Sequence, residues 1–277
     1  MEVWQVPEKF RPRSKLIYPR HQTGPGLETE IENRLVAIKD QIKTDLIYCP
    51  IKWTAFYCNN GFGSEESKKE MQNYINILPK DKKFFTVVQY DDGIMVDFPN
   101  CLVFSAGGKP DDAIPIPLLC DPHKIEGEVQ KDIPISFIAN LDTHPIRQEI
   151  AKAMYGKEYC YIARHYGDKY VEMIRRSYFT ICPRGYGKTS FRMYEAIQLG
   201  TIPVYISDEA WLPHPETMKR YYFDSNWFKP EPILQGLYAI LQSHGLYEEK
   251  LQYLKSIQHM FTYNYVAENI RRNVEYN

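Results

Sequence analysis

The sequence predicts an α/β protein built of two parallel layers. Three observations lead there. Short β-branched and aromatic runs alternate with amphipathic, helix-length segments, which is the pattern of parallel βαβ packing. The stretch Ser177–Pro213, SYFTICPRGYGKTSFRMYEAIQLGTIPVYISDEAWLP, reads as strand, glycine-bearing loop, helix, strand and loop. Residues 109–133 are proline-rich and carry the polar run DPHKIEGEVQKD, which marks a boundary or hinge between the layers.

Composition narrows the function classes. The chain has 277 residues, enough for one large domain or two of about 130. Its 34 basic and 35 acidic residues nearly balance, which argues against bulk nucleic-acid binding. The 22 tyrosines and four tryptophans suit core and half-buried strand positions, and some could serve as platforms for sugars or bases. The six cysteines show no C-x-x-C spacing and no accompanying histidine cluster, so reduced thiols are expected and a zinc site is not. The first residues lack a signal-peptide apolar region, no apolar run reaches about 18 residues, and no Asn-x-Ser/Thr sequon occurs. A soluble cytoplasmic protein without a membrane anchor is the expectation.

Residues 1–27, with Pro7, Pro12, Pro19 and Pro25, read as an extended arm. Leu27–Lys43 reads as a helix, with Ile31, Leu35, Ile38 and Ile42 on one face. Asp45–Pro50 is expected to be a short strand and Ala55–Cys58 another. Ser64 can cap a helix reaching about Leu78. Phe84–Tyr90 and Cys101–Ser105 are strands, the first ending at Asp91-Asp92-Gly93.

In the second half, Ile135–Leu141 is a strand, and Pro145 suits the first position of a helix carrying Arg147. Tyr159–Ala163 is a strand and Tyr170–Arg176 a helix. Tyr178–Cys182 follows as a buried strand. Thr189 or Ser190 can cap the next helix, which runs to about Leu199 with Gly200 past its end. Ile202–Ile206 is the next strand, with Asp208 beyond it. Pro230–His244 and Leu246–Asn269 complete the chain as two helices.

The loop at Pro183–Ser190 sits at a helix N-terminus, where free N–H groups and a partial positive charge favour phosphate. Arg184, Lys188 and Arg192 add cationic side chains nearby. Cys182–Thr189, CPRGYGKT, approaches the G-x-x-x-x-G-K-[ST] phosphate loop of kinases and NTPases. Cys182 replaces its first glycine, and Pro183 removes one amide from the cradle. No D-x-D triplet or H-E-x-x-H pattern suggests a metal site. Asp91-Asp92 and Asp111-Asp112 are adjacent pairs, and the first lies where ligands bind in parallel sheets, past a strand's carboxyl end.

A third reading fits the whole stretch. Phe179, Cys182-Pro183, Gly185, Ser190, Arg192, Glu195-Ala196-Ile197, Gly200, Ile202-Pro203-Val204, Asp208 and Leu212-Pro213 resemble, in register, the signature of exostosin-like glycosyltransferases. Ile135-Ser136-Phe137 through Arg147 is similar to the family's upstream strand, loop and arginine. Val87–Gly93 is similar to its strand ending in an Asp-x-Gly turn.

The resemblance implies a GT-B fold, two Rossmann-like domains facing a cleft. Residues 1–125 would be the acceptor-side domain and 126–260 the nucleotide-sugar domain, with 261–277 crossing back to the first. It implies an inverting, metal-independent transfer of a sugar from a UDP-sugar, with UDP-xylose favoured, to a hydroxyl of a glycan or glycoprotein, with no cofactor. Cys182, Pro183, Arg184 and Gly185 would form the donor loop. Arg147, Ser190 and Arg192 would meet the diphosphate, and Glu195 would accept the ribose hydroxyls. The general base is sought first at Asp91, then Asp92, then His144. Animal and plant members are usually longer and membrane-anchored, whereas this chain resembles compact versions encoded by large algal viruses. A glycan-binding module that keeps the fold without turnover is the non-enzyme alternative.

Overall fold

A computed structural model describes residues 1–24, 26–226 and 229–276. Pro25, named above as part of the arm, lies outside the described residues. The chain forms two compact units, Met1–Leu119 with Thr262–Asn277, and Cys120–Phe261. Each is a parallel sheet flanked by helices, the two-layer α/β make-up expected of a GT-B protein.

In the first unit, α1 (Leu27–Ala37) precedes β1 (Ile47–Tyr48), α2 (Trp53–Asn59) and α3 (Glu65–Asn76) follow, and β2 (Phe84–Val88), β3 (Cys101–Ser105) and β4 (Ile114–Pro115) complete the sheet. The strands lie in the order β1-β2-β3-β4, all parallel. All five residues of β2 are buried, as a central strand covered on both faces requires. Ser64 caps α3 as its sequence predicts, its Oγ accepting the Ser67 amide. The last helix, Tyr263–Tyr276, packs on α1, where Arg34 Nε donates to Asn264 Oδ1 at 2.7 Å.

Two expectations for this unit fail, and the arm gains a detail. Ala55–Cys58 is helical, inside α2. Its run is buried on nearly every side and too short for periodicity to separate strand from helix. A carboxylate remote in sequence supplies its N-terminal cap: Glu28 accepts the Thr54 amide at 3.1 Å and the Thr54 hydroxyl at 2.7 Å. The predicted Leu27–Lys43 helix ends at Ala37 and continues as a 3-10 turn at Lys39–Gln41. The arm is docked at its start. Trp4 donates to the Tyr48 carbonyl at 2.8 Å, and Phe10 is buried, stacked on Tyr74 at 4.4 Å.

The second unit runs β5 (Ile133–Ile138), α4 (Pro145–Met154), β6 (Cys160–Ala163), α5 (Gly167–Arg176), β7 (Ser177–Pro183), α6 (Phe191–Gln198), β8 (Ile202–Ser207), α7 (Pro215–Met218), β9 (Tyr222–Asp224), α8 (Pro230–Gln242) and α9 (Leu246–Ile257). The predicted Leu246–Asn269 helix is two helices. A 3-10 turn, Gln258–Phe261, separates α9 from α10 (Tyr263–Tyr276). Side chains pin that break: Gln258 Nε2 donates to the Ile197 carbonyl at 2.6 Å, and Gln198 Nε2 to that of Phe261 at 3.3 Å. Gly200, with φ of +72°, ends α6 in the left-handed conformation that favours glycine.

Candidate functional site

The strand order of the second unit locates its crevice. The order β6-β5-β7-β8-β9 corresponds to 2-1-3-4-5 in chain order, so the winding reverses between β5 and β7. Open α/β sheets bind ligands past the carboxyl ends of the strands at such a reversal. The described strands of the first unit run in simple order and contain no reversal.

Arg147 bridges the reversal. Its side chain is buried in the first turn of α4, and all three guanidinium nitrogens meet backbone carbonyls. Nη1 donates to Asn140 past β5 at 2.9 Å, Nε to Arg184 at 2.8 Å and Nη2 to Pro183 at 3.2 Å. A planar fork suits several fixed acceptors at once. Gly185 lies over this fork; a Cβ there would stand 3.4 Å from Nη2. The structure thus places Arg147, Pro183, Arg184 and Gly185 together, with the arginine holding the loop.

The loop from Arg184 to Ser190 is cross-braced. The Arg184 amide donates to the Ile206 carbonyl at 2.8 Å and the Gly185 amide to that of Thr189 at 3.2 Å. Arg184 pairs with Asp208, which holds that carboxyl below its usual range despite partial burial. Lys188 Nζ pairs with Glu209 at 3.1 Å, and the Lys188 carbonyl accepts Tyr205 and Ser207 hydroxyls. A phosphate loop of the kinase type needs free amides and a lysine aimed at phosphate. Here Pro183 has no N–H, two successive amides are bonded to carbonyls, and the lysine has a carboxylate partner.

Polar atoms without partners gather at the start of α6. Ser190 is its N-cap residue, yet its hydroxyl makes no capping bond. Thr189 Oγ1, Ser190 Oγ and Arg192 Nε are all buried and have no hydrogen-bond partner among the described residues. Buried polar atoms are nearly always bonded, so three orphans within four residues indicate a place for an acceptor-rich ligand.

One turn further along α6, Glu195 is 6% exposed. His123 Nε2 lies 2.8 Å from Oε1, and Tyr170 donates its hydroxyl to Oε2 at 2.8 Å. Burial alone would raise this carboxyl; the His123 and Tyr170 bonds and the Arg192 charge outweigh it and lower its pKa. His123 and Tyr170 had no motif to announce them. His123 sits in the polar run 121–132, and Tyr170 shows only as an apolar helix position.

Of the remaining candidates, Cys182 and His144 border the loop, and Asp91 and Asp92 belong to the first unit. Cys182 is fully buried in β7, and burial pushes its thiol up to about 12, so it packs and does not react. His144 caps α4, its Nδ1 accepting the Ile146 amide at 3.3 Å, and burial lowers its pKa. Asp91 and Asp92 belong to the first unit, in the turn after β2, half-buried and exposed respectively. Asp92 faces Lys109 at 3.9 Å. Glycines hold this turn against its neighbour: a Cβ at Gly107 would stand 2.2 Å from the Tyr90 carbonyl oxygen and 2.7 Å from Asp91 Cα. Among the described residues, no helix is long and apolar enough to cross a membrane.

Residues 93–229 match the Exostosin GT47 domain. That span begins just past Asp91-Asp92 and contains His123, Arg147, Tyr170, the loop Pro183–Ser190, Arg192 and Glu195. A protein of Arabidopsis thaliana named "Probable glucuronoxylan glucuronosyltransferase IRX7" is 26% identical over 154 residues, covering 46% of this chain and 34% of that one. A "Probable glucuronosyltransferase" of Oryza sativa subsp. japonica is 29% identical over 103 residues, covering 33% of this chain and 24% of that one. The chain thus spans about a third or less of the curated relatives it matches. Among solved structures, WaaG, a glycosyltransferase involved in lipopolysaccharide biosynthesis, aligns over 99% of this chain and 98% of its own at 9% identity and a TM-score of 0.45. AviGT4, a glycosyltransferase involved in avilamycin A biosynthesis, aligns over 89% and 78% at 12% identity and a TM-score of 0.44.

Proposed function

We propose that this chain, which carries an exostosin-like glycosyltransferase domain, moves a sugar from a nucleoside-diphosphate donor to a glycan hydroxyl with inversion and without a metal. The observation that carries the reading is the set of three buried, partnerless polar atoms, Thr189 Oγ1, Ser190 Oγ and Arg192 Nε, one turn from a buried carboxylate and inside the matched region. A diphosphate supplies acceptors for the first three, and a ribose diol supplies donors for Glu195.

In this reading the Cys120–Phe261 unit holds the donor. The Thr189 and Ser190 hydroxyls, Arg192 and the N-terminus of α6 take up the charge that develops on the leaving diphosphate. Cys182 and Pro183 shape the end of β7, Arg147 and Arg184 brace the loop, and Gly185 leaves room for it. The acceptor hydroxyl attacks the anomeric carbon from the face opposite the diphosphate. Asp91 accepts its proton, with Asp92 the second choice. UDP is the nucleotide we favour. The names of the plant relatives put UDP-glucuronate beside UDP-xylose as the donors to try first, and glycans or glycoproteins are the acceptor class.

Thermal shift in chelator tests the donor reading. UDP should stabilise the chain without magnesium; stabilisation by ATP that requires magnesium would overturn it in favour of a kinase or NTPase. Incubation with UDP-glucuronate and UDP-xylose should release UDP. Tight UDP binding with no hydrolysis or transfer of any donor would make the chain a binding module.

A further inference from the structure

We infer that His123 and Tyr170 are positioning residues that lock the Glu195 carboxylate in the plane a ribose diol requires, so that donor affinity depends on a residue outside the strands and helices of the sheet. The inference rests on the reading of Glu195 as the ribose acceptor.

Three observations carry it. First, the two donors approach different oxygens of one carboxylate, His123 at Oε1 and Tyr170 at Oε2, each at 2.8 Å. A single bond leaves a carboxylate free to rotate about its terminal torsion, which is broad by nature; one bond on each oxygen fixes it. Second, the donors come from separate places. Tyr170 lies on α5, and His123 lies 72 residues before Glu195 in a segment without regular structure. Its side chain is nonetheless only 6% exposed. Third, a buried carboxylate is an expensive way to stabilise a helix, since apolar residues of similar volume do as well or better. Keeping a charged, doubly bonded group at 6% exposure, one turn from three partnerless polar atoms, fits a ligand site better than a core. The Tyr170 ring also lies 5.7 Å from the His123 ring, so the two donors pack on each other.

The test uses the full chain and UDP as probe, with calorimetric affinity, donor KM and kcat, and melting temperature read for each variant. His123→Leu removes the donor, His123→Gln keeps an N–H within reach, and Tyr170→Phe removes only the other hydroxyl. A hydrogen bond to a charged group is worth a factor of about ten or more, so His123→Leu and Tyr170→Phe should each weaken UDP by roughly that factor. The loss should appear in donor KM more than in kcat, and His123→Gln should recover most of it. Unchanged UDP affinity in a folded His123→Leu or Tyr170→Phe would overturn the inference. So would equal losses in His123→Leu and His123→Gln accompanied by equal drops in melting temperature, which is the mark of a purely structural pair. If His123→Leu fails to fold, Tyr170→Phe decides alone. Wild-type chain that binds no UDP would overturn the donor reading itself, a result distinct from any of these.

Discussion

Arg147 on α4 donates to the carbonyl of Pro183, the last residue of β7, and so ties the two segments that flank the reversal in strand order. With its bonds to Asn140 and Arg184, the side chain replaces backbone pairing where the sheet's own ladder stops. Three carbonyl bonds thus make this arginine a brace of the loop.

Replacing Arg147 by lysine should destabilise the chain even though charge is kept. An ammonium cannot reach three carbonyls in fixed directions, and the buried acceptors it abandons lose their partners. A loss of about 2–4 kcal/mol in urea unfolding is expected. UDP affinity should fall with it, through displacement of the loop.

Ser190→Ala separates stability from binding. Loss of a serine N-cap ordinarily costs about 1 kcal/mol. Here the hydroxyl makes no capping bond, so melting should barely move. UDP affinity should drop by about tenfold, as loss of one hydrogen bond to a charged ligand implies. A lowered melting temperature with intact affinity would make Ser190 an ordinary cap.

Asp91→Asn should leave UDP affinity unchanged and reduce kcat by a factor of about 10² to 10⁴, the usual contribution of a general base. Asp92→Asn, on the exposed side and facing Lys109, should retain most turnover. Reversed results would exchange the two roles.

Gly107→Ala probes the same turn through sterics. The added Cβ would meet the Tyr90 carbonyl oxygen at 2.2 Å, so backbone must shift at Asp91. Turnover should fall while UDP affinity persists. Gly236→Ala in α8 is the control: nothing lies within 4 Å of its Cβ, and helix propensity should raise stability by roughly 0.5–1 kcal/mol.

His144 predicts a pH dependence. Its folded pKa lies below the ordinary 6.5, first from burial and then from nearby Arg184. A depressed pKa contributes stability above pH 6.5 that is lost as pH falls through the folded value. Urea midpoints should therefore decline on acidification below about pH 6.5. His144→Asn, which can still cap α4, should flatten that decline. Retained transfer in this variant would also remove His144 as a candidate base.

Local chemistry alone decides a good deal of this protein. The Phe84–Val88 and Ser177–Pro183 strands, the Ser64 and Pro145 helix starts and the Gly200 stop are legible because each depends on a few neighbouring residues: branched or aromatic runs, a cap, a fixed φ, a left-handed turn. The adjacency of loop, helix and carboxylate around Pro183–Glu195 is likewise legible, because spacing on one helix sets which side chains share a face.

What tertiary structure decides is who holds whom. Trp53–Asn59 is a helix because Glu28, far along the chain, caps it. The last helical stretch breaks at Gln258–Phe261 because Gln198 and Gln258 reach its backbone and that of Ile197. Arg147 becomes a brace because strand order brings two loops to its fork, and Glu195 acquires His123 and Tyr170 because folding carries a histidine 72 residues away to α6. Such bonds join residues tens of positions apart. Short-range periodicity holds no record of them, so only the packed chain determines them.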